Sequence, residues 1–115
     1  MRPLFHPAIE DVPLEAVLHA LSDPVRVSIF ADIASASCAM TCSNFLSVAH
    51  KAIPKSTLSQ HFQILREAGL IRSQRQGVEL HNVSRCEEIN ARFPGLVPAI
   101  IKAHQIEMQS KASAA

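Results

Sequence analysis

One face of a predicted helix carries side chains that can both donate and accept hydrogen bonds. The helix lies in the segment PKSTLSQHFQILREAGLI, residues 54–71. A step of about 100° per residue places Ser56, Ser59, Gln60 and Gln63 in one narrow sector. Hydroxyl and amide groups can form hydrogen bonds with base edges in the major groove of DNA, which is wide enough for one α-helix. This face therefore predicts contact with a nucleic acid, and the alternative is a polar face that serves only solubility.

The opposite face of the same helix is apolar. Leu58, Phe62, Leu65 and Ala68 recur at helical spacing and predict burial in a core. Gly69 follows directly and predicts a left-handed residue that ends the helix. The pattern indicates a helix that is anchored by one side and displays the other.

Two further candidates lie at the start and at the border of this helix. Lys55, together with the free backbone N–H groups of the first turn, predicts a phosphate contact that orients the helix without reading sequence. His61 lies between the apolar and polar faces. It is either a packed histidine with one satisfied nitrogen or a second phosphate contact.

The residues after Gly69 change from helical to alternating periodicity. IRSQR and VELHNV flank Gln76 and Gly77, which predicts a two-stranded hairpin with its turn at the glycine. Arg72, Arg75 and Gln76 belong to this hairpin. They are suited to contact with phosphate or with the minor groove of DNA.

Other helices are predicted from their start signals. Asp11 is expected to cap a first amphipathic helix. Asp23 and Pro24 predict the start of a second, largely buried helix. Thr41 is expected to cap a short helix over residues 42–50. The order of three helices, the polar-faced helix and a hairpin is that of a winged helix-turn-helix.

Two helices are predicted after the hairpin. Ser84 and Glu87 have the spacing of a capping box, which predicts a helix that continues to about Arg92. A final helix begins at about Leu96.

Composition favours one domain. The chain has 115 residues, of which 48% are hydrophobic, and this suffices for a single core. No run of 18 or more apolar residues and no basic leader occurs, so a cytoplasmic protein without a membrane partner is expected.

Net charge is +1, but residues 51–85 hold six basic and two acidic side chains, a local charge of +4. The excess positive charge surrounds the polar-faced helix.

The phrases ALSDPVRVSIF, KSTLSQHFQILREAGLI and RQGVELHNVS resemble those of the ArsR/SmtB family of bacterial winged-helix repressors. The resemblance covers roughly residues 14–84. It implies a mainly α fold of about five to six helices with a β-hairpin wing, in a homodimer that binds a palindromic DNA operator and represses transcription.

The resemblance also implies a division of the chain. Residues 1–115 form a single domain, with dimerisation helices at 11–22 and 96–110, the helix-turn-helix at 42–69 and the wing at 71–83. The complete set of candidate DNA-binding residues is Lys55, Ser56, Thr57, Ser59, Gln60, His61, Gln63, Arg66, Arg72, Arg75 and Gln76.

The cysteines are candidates for sensing a signal. Many members of the family release DNA when a thiophilic metal or metalloid binds a C-x-C pair, whereas Cys38 and Cys42 are spaced C-x3-C. Three interpretations stay open: inert buried cysteines, a redox pair of Cys38 or Cys42 with Cys86, and a thiolate metal or metalloid site. No metal site and no cofactor is assigned.

Other classes of function are disfavoured. No local signature joins a nucleophile to a base, and no glycine-rich phosphate loop occurs, so the chain is not expected to be an enzyme. The chain has no Trp and no Tyr, which leaves little for stacking on RNA bases. The remaining alternative is a winged-helix adaptor that binds proteins and not DNA.

Overall fold

The computed structural model describes residues 4–35, 40–41, 47–48 and 51–114, and the structural statements below refer to these residues. Five α-helices and five strands occur among them, after a single 3-10 turn at Ile9–Asp11. The helices are α1 (Leu14–Ala20), α2 (Pro24–Ser35), α3 (Lys55–Glu67), α4 (Cys86–Arg92) and α5 (Leu96–Ala114). The strands are β1 (Met40–Thr41), β2 (Ser47–Val48), β3 (Lys51–Ala52), β4 (Ile71–Gln76) and β5 (Glu79–Ser84).

Helices and sheet pack around one core. β1, β5 and β4 form an antiparallel sheet in that order, and β2 pairs with β3 in a second small sheet. Helix α2 packs against α3, α5 and β5, and α4 packs against α5. The described part of the chain therefore has the predicted winged helix-turn-helix architecture, with the β4–β5 hairpin as its wing.

The start of α2 confirms its predicted cap. The Asp23 carboxylate accepts the backbone N–H groups of Val25 at 2.8 Å and Arg26 at 3.1 Å. Pro24 is the first helical residue, where a proline costs no hydrogen bond. Behind this start, Ile29 and Phe30 are fully buried.

Helix α3 ends as predicted. Gly69 has φ = +77°, and its N–H donates to the Arg66 carbonyl at 3.1 Å. The Leu70 N–H donates to the Leu65 carbonyl at 3.1 Å. These two bonds are those of a Schellman motif, which needs a left-handed residue at the position of the glycine. The chain is thereby turned from the helix into β4.

Two predicted helix caps were wrong. Helix α1 begins at Leu14, but the residue before it is Pro13 and no side chain caps the helix, because Pro13 disfavours helical geometry in the residue before it and separates Asp11 from the helix. Helix α4 begins at Cys86 with no side-chain cap. Ser84 cannot serve as that cap, since it is the last residue of β5 and pairs with Ile71.

The predicted short helix over residues 42–50 was also wrong where the structure describes it. Thr41 pairs with His81 and so extends the sheet of the wing. Ser47–Val48 pairs with Lys51–Ala52 as strands. Backbone pairing with distant or adjacent strands overrides the local capping signal here. The rest of the segment, 42–46 and 49–50, lies outside the described residues.

Candidate nucleic-acid interface

The polar face of α3 is exposed as predicted, while its apolar face is buried. Leu58, Phe62 and Leu65 are at most 2% exposed. The exposed residues of the other face are Ser56, Thr57, Ser59, Gln60, Gln63 and Glu67.

The two glutamines of this face differ in their partners. The Gln63 amide donates weakly to the Glu67 carboxylate at 3.4 Å. Gln60 forms no side-chain hydrogen bond within the described ranges, so its amide can pair with an external donor or acceptor. The structure therefore places Gln60 ahead of Gln63 as a candidate for reading a base.

The start of α3 is open to an anion. Lys55 is the first helical residue and is exposed, and no side chain caps the helix. The first helical hydrogen bond runs from the Leu58 N–H to the Pro54 carbonyl, 2.9 Å. The N–H groups before Leu58 therefore have no partner within the helix, and they lie at its positive end.

A buried arginine that sequence reasoning assigned no role holds α3 in place. Arg26 of α2 is 8% exposed. Its Nε donates to the Ala20 carbonyl at 2.8 Å, and Nη2 donates to the His19 carbonyl at 3.2 Å. Nη1 lies 3.4 Å from Nδ1 of His61. Arg26 thus joins the end of α1 to α3, and His61 is a packed histidine.

Arg66 does not belong in the predicted DNA-binding set. It is 7% exposed, and its Nε donates to Oγ of Ser73 at 3.0 Å. The physical reason is helical geometry, since Arg66 follows the buried Phe62 by four residues and Leu58 by eight. That spacing was the signal in the sequence that Arg66 points inward.

The predicted DNA contacts of the wing lie on opposite faces of β4. Arg75 pairs with Leu80 in the ladder, and Arg72 pairs with Val83. Since side chains alternate across a strand, Arg75 shares the face of the buried Ser73, on which Arg66 of α3 packs, whereas Arg72 and Gln76 lie on the other face. The wing therefore presents one predicted arginine, not two, on the side of α3.

Arg72 is also engaged within the protein. Its Nη2 is 3.5 Å from Oε2 of Glu88, and both side chains are about half exposed. Arg85 donates its Nε to the same carboxylate. The hydrogen bond from Arg85 is the main reason that the pKa of Glu88 lies below its ordinary value, with Arg72 adding to it and burial opposing it.

Residues 4–12 form an N-terminal strap against the wing and α4. The Ser73 N–H donates to Nε2 of His6 at 3.0 Å, and Arg85 Nη1 donates to the Pro7 carbonyl at 2.9 Å. Arg92 Nε donates to the Val12 carbonyl at 2.7 Å. Burial lowers the pKa of His6, and the nearby charges of Arg72, Arg66 and Arg85 lower it further. The neutral imidazole is the form that accepts from Ser73.

The candidate sensing residues are only partly described. Cys38 and Cys42 lie outside the described residues. Cys86 is a free, half-buried cysteine at the start of α4, and it lines a cleft with Ala34 and Ile101. No group of three or more metal-ligating side chains occurs in the described ranges. None of the described helices is long and apolar enough to cross a membrane.

Two helices, α1 and α5, expose apolar side chains. Leu14 and Leu18 of α1 are 43% and 47% exposed, and Ile106 and Met108 of α5 are 57% and 39% exposed. These are the helices that the sequence assigned to dimerisation. That assignment stays a prediction.

Comparisons with known proteins agree with this architecture. A family model described as "Helix-turn-helix domain" matches residues 21–74, from the end of α1 to the middle of β4. The chain is similar to the solved structure of an ArsR-like transcriptional regulator from Rhodococcus sp. RHA1, with 21% identity and a TM-score of 0.56 over 88% of this chain and 87% of that one. No curated protein matches the chain. The predicted fold is thus confirmed.

Proposed function

Because this chain has the winged helix-turn-helix fold of ArsR-like regulators, we propose that it is a sequence-specific transcriptional repressor that binds a palindromic DNA operator as a homodimer. One observation carries the proposal. The described protein buries the apolar flank of α3 and leaves its hydroxyl and amide face exposed. A helix held in this way fits the major groove with its polar face toward the bases.

Each part of this surface has a role that follows from its chemistry. Gln60 reads bases, since its amide can pair in a bidentate manner with adenine, and Gln63 and Ser59 assist it. Lys55 and the open N–H groups of the first turn bind a phosphate and set the helix orientation. Arg75 binds the backbone beside the groove from the wing.

The homodimer forms through the exposed apolar residues of α1 and α5. Leu14, Leu18, Ile106 and Met108 lose their water contact in such an interface. A two-fold axis through it places two copies of α3 in successive major grooves, about 34 Å apart. That spacing is the reason for a palindromic operator.

A thiol signal is the proposed means of release. Cys86 lines a cleft together with Ala34, and Ala34 precedes Cys38 by four residues in the sequence. Modification of Cys86, alone or with Cys38 or Cys42, would change the packing of α4 against α5. C86S should stay on DNA under oxidant or arsenite that releases the unaltered protein, and whichever of C38S and C42S removes a partner of Cys86 should do the same. Release of all three variants as readily as wild type would remove the thiols from the mechanism.

DNA binding is tested by fluorescence anisotropy with two labelled duplexes, one covering the region upstream of the chain's own gene and one of scrambled sequence. The unaltered protein should prefer the first duplex. R75A should weaken both and reduce the slope of log affinity against log salt by about one unit.

The matched control for this experiment is R72A. Arg72 lies on the opposite face of the same strand and is already paired with Glu88, so R72A should leave the salt slope nearly unchanged. Equal and weak binding of both duplexes by wild type would instead favour a winged-helix adaptor that binds proteins.

A further inference from the structure

A single serine lies where four parts of the protein meet. Ser73 belongs to β4 and is 4% exposed. Its backbone N–H donates to His6 of the N-terminal strap, and its hydroxyl contacts Arg66 of α3 and Asn82 of β5. A buried serine with polar partners on three other elements is a junction of the fold.

The hydroxyl group uses both of its hydrogen-bonding capacities. It accepts from Arg66 Nε at 3.0 Å and donates to Asn82 Oδ1 at 2.6 Å. The Asn82 amide donates onward to the Leu80 carbonyl at 3.3 Å. A serine hydroxyl has one proton to donate, so this chain of bonds has a fixed direction from α3 through β4 to β5.

The junction lies close to both of the proposed DNA contacts. Arg66 follows Gln63 by three residues on α3, which is about one helical turn. Arg75 is two residues after Ser73 and therefore on the same face of β4, about 7 Å further along the strand. The hydroxyl that accepts the hydrogen bond from Arg66 of α3 thus belongs to the same strand as the wing residue Arg75.

We propose that Ser73 is a positioning residue that couples α3 to the wing, so that both elements approach DNA as one rigid body. This inference rests on the proposed DNA binding. A hydrogen bond has a preferred distance and angle, and a satisfied buried network rigidifies the elements that it joins, whereas the hydrophobic effect has no directional preference. Without the Ser73 hydroxyl, α3 and β4 remain packed and connected through Gly69 but lose a directional bond between their side chains.

Rigid coupling has a measurable consequence for affinity. When the wing is already in place, the Arg75 contact forms without ordering any segment. When the wing moves independently, part of the gain from Arg75 is lost in ordering it. The benefit of Arg75 should therefore depend on Ser73, although Ser73 itself touches no DNA.

The test measures this dependence with the full chain. Affinity for a labelled random-sequence duplex of about 30 base pairs, three helical turns, is measured for wild type, S73A and S73T, each with and without R75A. We expect R75A to weaken binding about tenfold in wild type but only about twofold to threefold in S73A, a coupling of ordinary size for groups in one network. S73T keeps the hydroxyl and should restore the larger factor.

Two additions keep the test decisive. R66Q removes the Nε donor from the side of α3, so it should lower the R75A factor as S73A does, and the better folded of the two variants carries the test. Hydrogen exchange in the protein without DNA should become faster in β4 and β5 of S73A while α5 is unchanged.

The outcomes separate this inference from the proposed function. An equal loss from R75A in the wild-type and S73A backgrounds would overturn the coupling and leave DNA binding intact. If R75A has no effect even in wild type, the proposed DNA contact of Arg75 is wrong. Hydrogen exchange alone then decides whether Ser73 couples α3 to the wing. Unchanged exchange in β4 and β5 of S73A would overturn the coupling.

Discussion

The inward and outward sides of α3 use polar side chains for opposite purposes. On the inward side, Arg66 bonds to Ser73, and Arg26 of α2 reaches His61 at the border of the helix. On the outward side, Gln60 has no side-chain hydrogen bond within the described ranges. The inward groups fix where the helix lies, and the outward groups are left available for a ligand.

This difference follows from the cost of burial. A guanidinium group removed from water needs partners that replace its hydration, and Arg26 finds two backbone carbonyls and an imidazole nitrogen. An exposed amide keeps its water, which a base edge can replace at little cost. The same helix can therefore be stable and still carry groups that are not used for stability.

Loss of an inward group should have the largest effect. R26A removes the bonds to the carbonyls of Ala20 and His19 and to His61. We expect the free energy of unfolding to fall by about 2–4 kcal/mol, the usual range for a buried charged hydrogen-bonding group. Urea denaturation measures this free energy of unfolding. R72A is the control, because the half-exposed pair of Arg72 with Glu88 should contribute at most about 1 kcal/mol. Similar losses in the two variants would contradict the assigned role of Arg26.

The end of α3 provides the next prediction. G69A should lower the free energy of unfolding by about 2 kcal/mol or more, because φ is +77° and a Cβ would lie 2.6 Å from Cγ2 of Val12. G95A is the matched control, since Gly95 also has a positive φ of +82° but no atom within 4 Å of the added carbon. The difference in unfolding midpoint between the two variants isolates the contact with the strap. No difference would mean that Val12 moves aside freely.

Loss of an outward group should reduce DNA discrimination and leave the stability of the fold nearly unchanged. We expect Q60A to leave the free energy of unfolding within about 0.5 kcal/mol of wild type. Discrimination between the upstream duplex and its scrambled version should fall by about 1–3 kcal/mol. Parallel urea and anisotropy titrations separate the two quantities. Intact discrimination in Q60A would transfer the reading of bases to another residue.

The smallest effect is expected from pH at the strap. The pKa of folded His6 lies below the ordinary histidine value of 6.5, so on acidification the unfolded chain binds this proton first. Stability from His6 is therefore complete above about pH 6.5 and is lost as the pH falls toward the lower folded pKa. Glu88 stays ionised in this range because its pKa is lowered.

H6Q is the variant that tests this effect, since an amide oxygen can still accept from Ser73. Between pH 7.5 and 5.5, H6Q should lose less stability than wild type in urea titrations. A wild-type slope that H6Q retains would assign the titration to another group.

Local signals predicted the helices well where the chain meets no competing partner. The Asp23 cap and the Gly69 end were both found, since each depends on residues within one turn. Prediction failed at Thr41 and Ser84, which have equally good local signals for capping. Both residues belong to strands that pair with distant residues, and a capping pattern of a few neighbouring residues does not indicate such pairing.

The site shows the same division. The amphipathic pattern of α3 alone determined that Leu58 and Phe62 would be buried and Gln60 exposed, because helical period is a property of the local backbone. Only the tertiary structure decided that Arg66 points to Ser73 and that Arg75 and Arg72 lie on opposite faces of the wing. Those facts depend on which strand meets which helix and in what register, and register is set by packing across the whole domain.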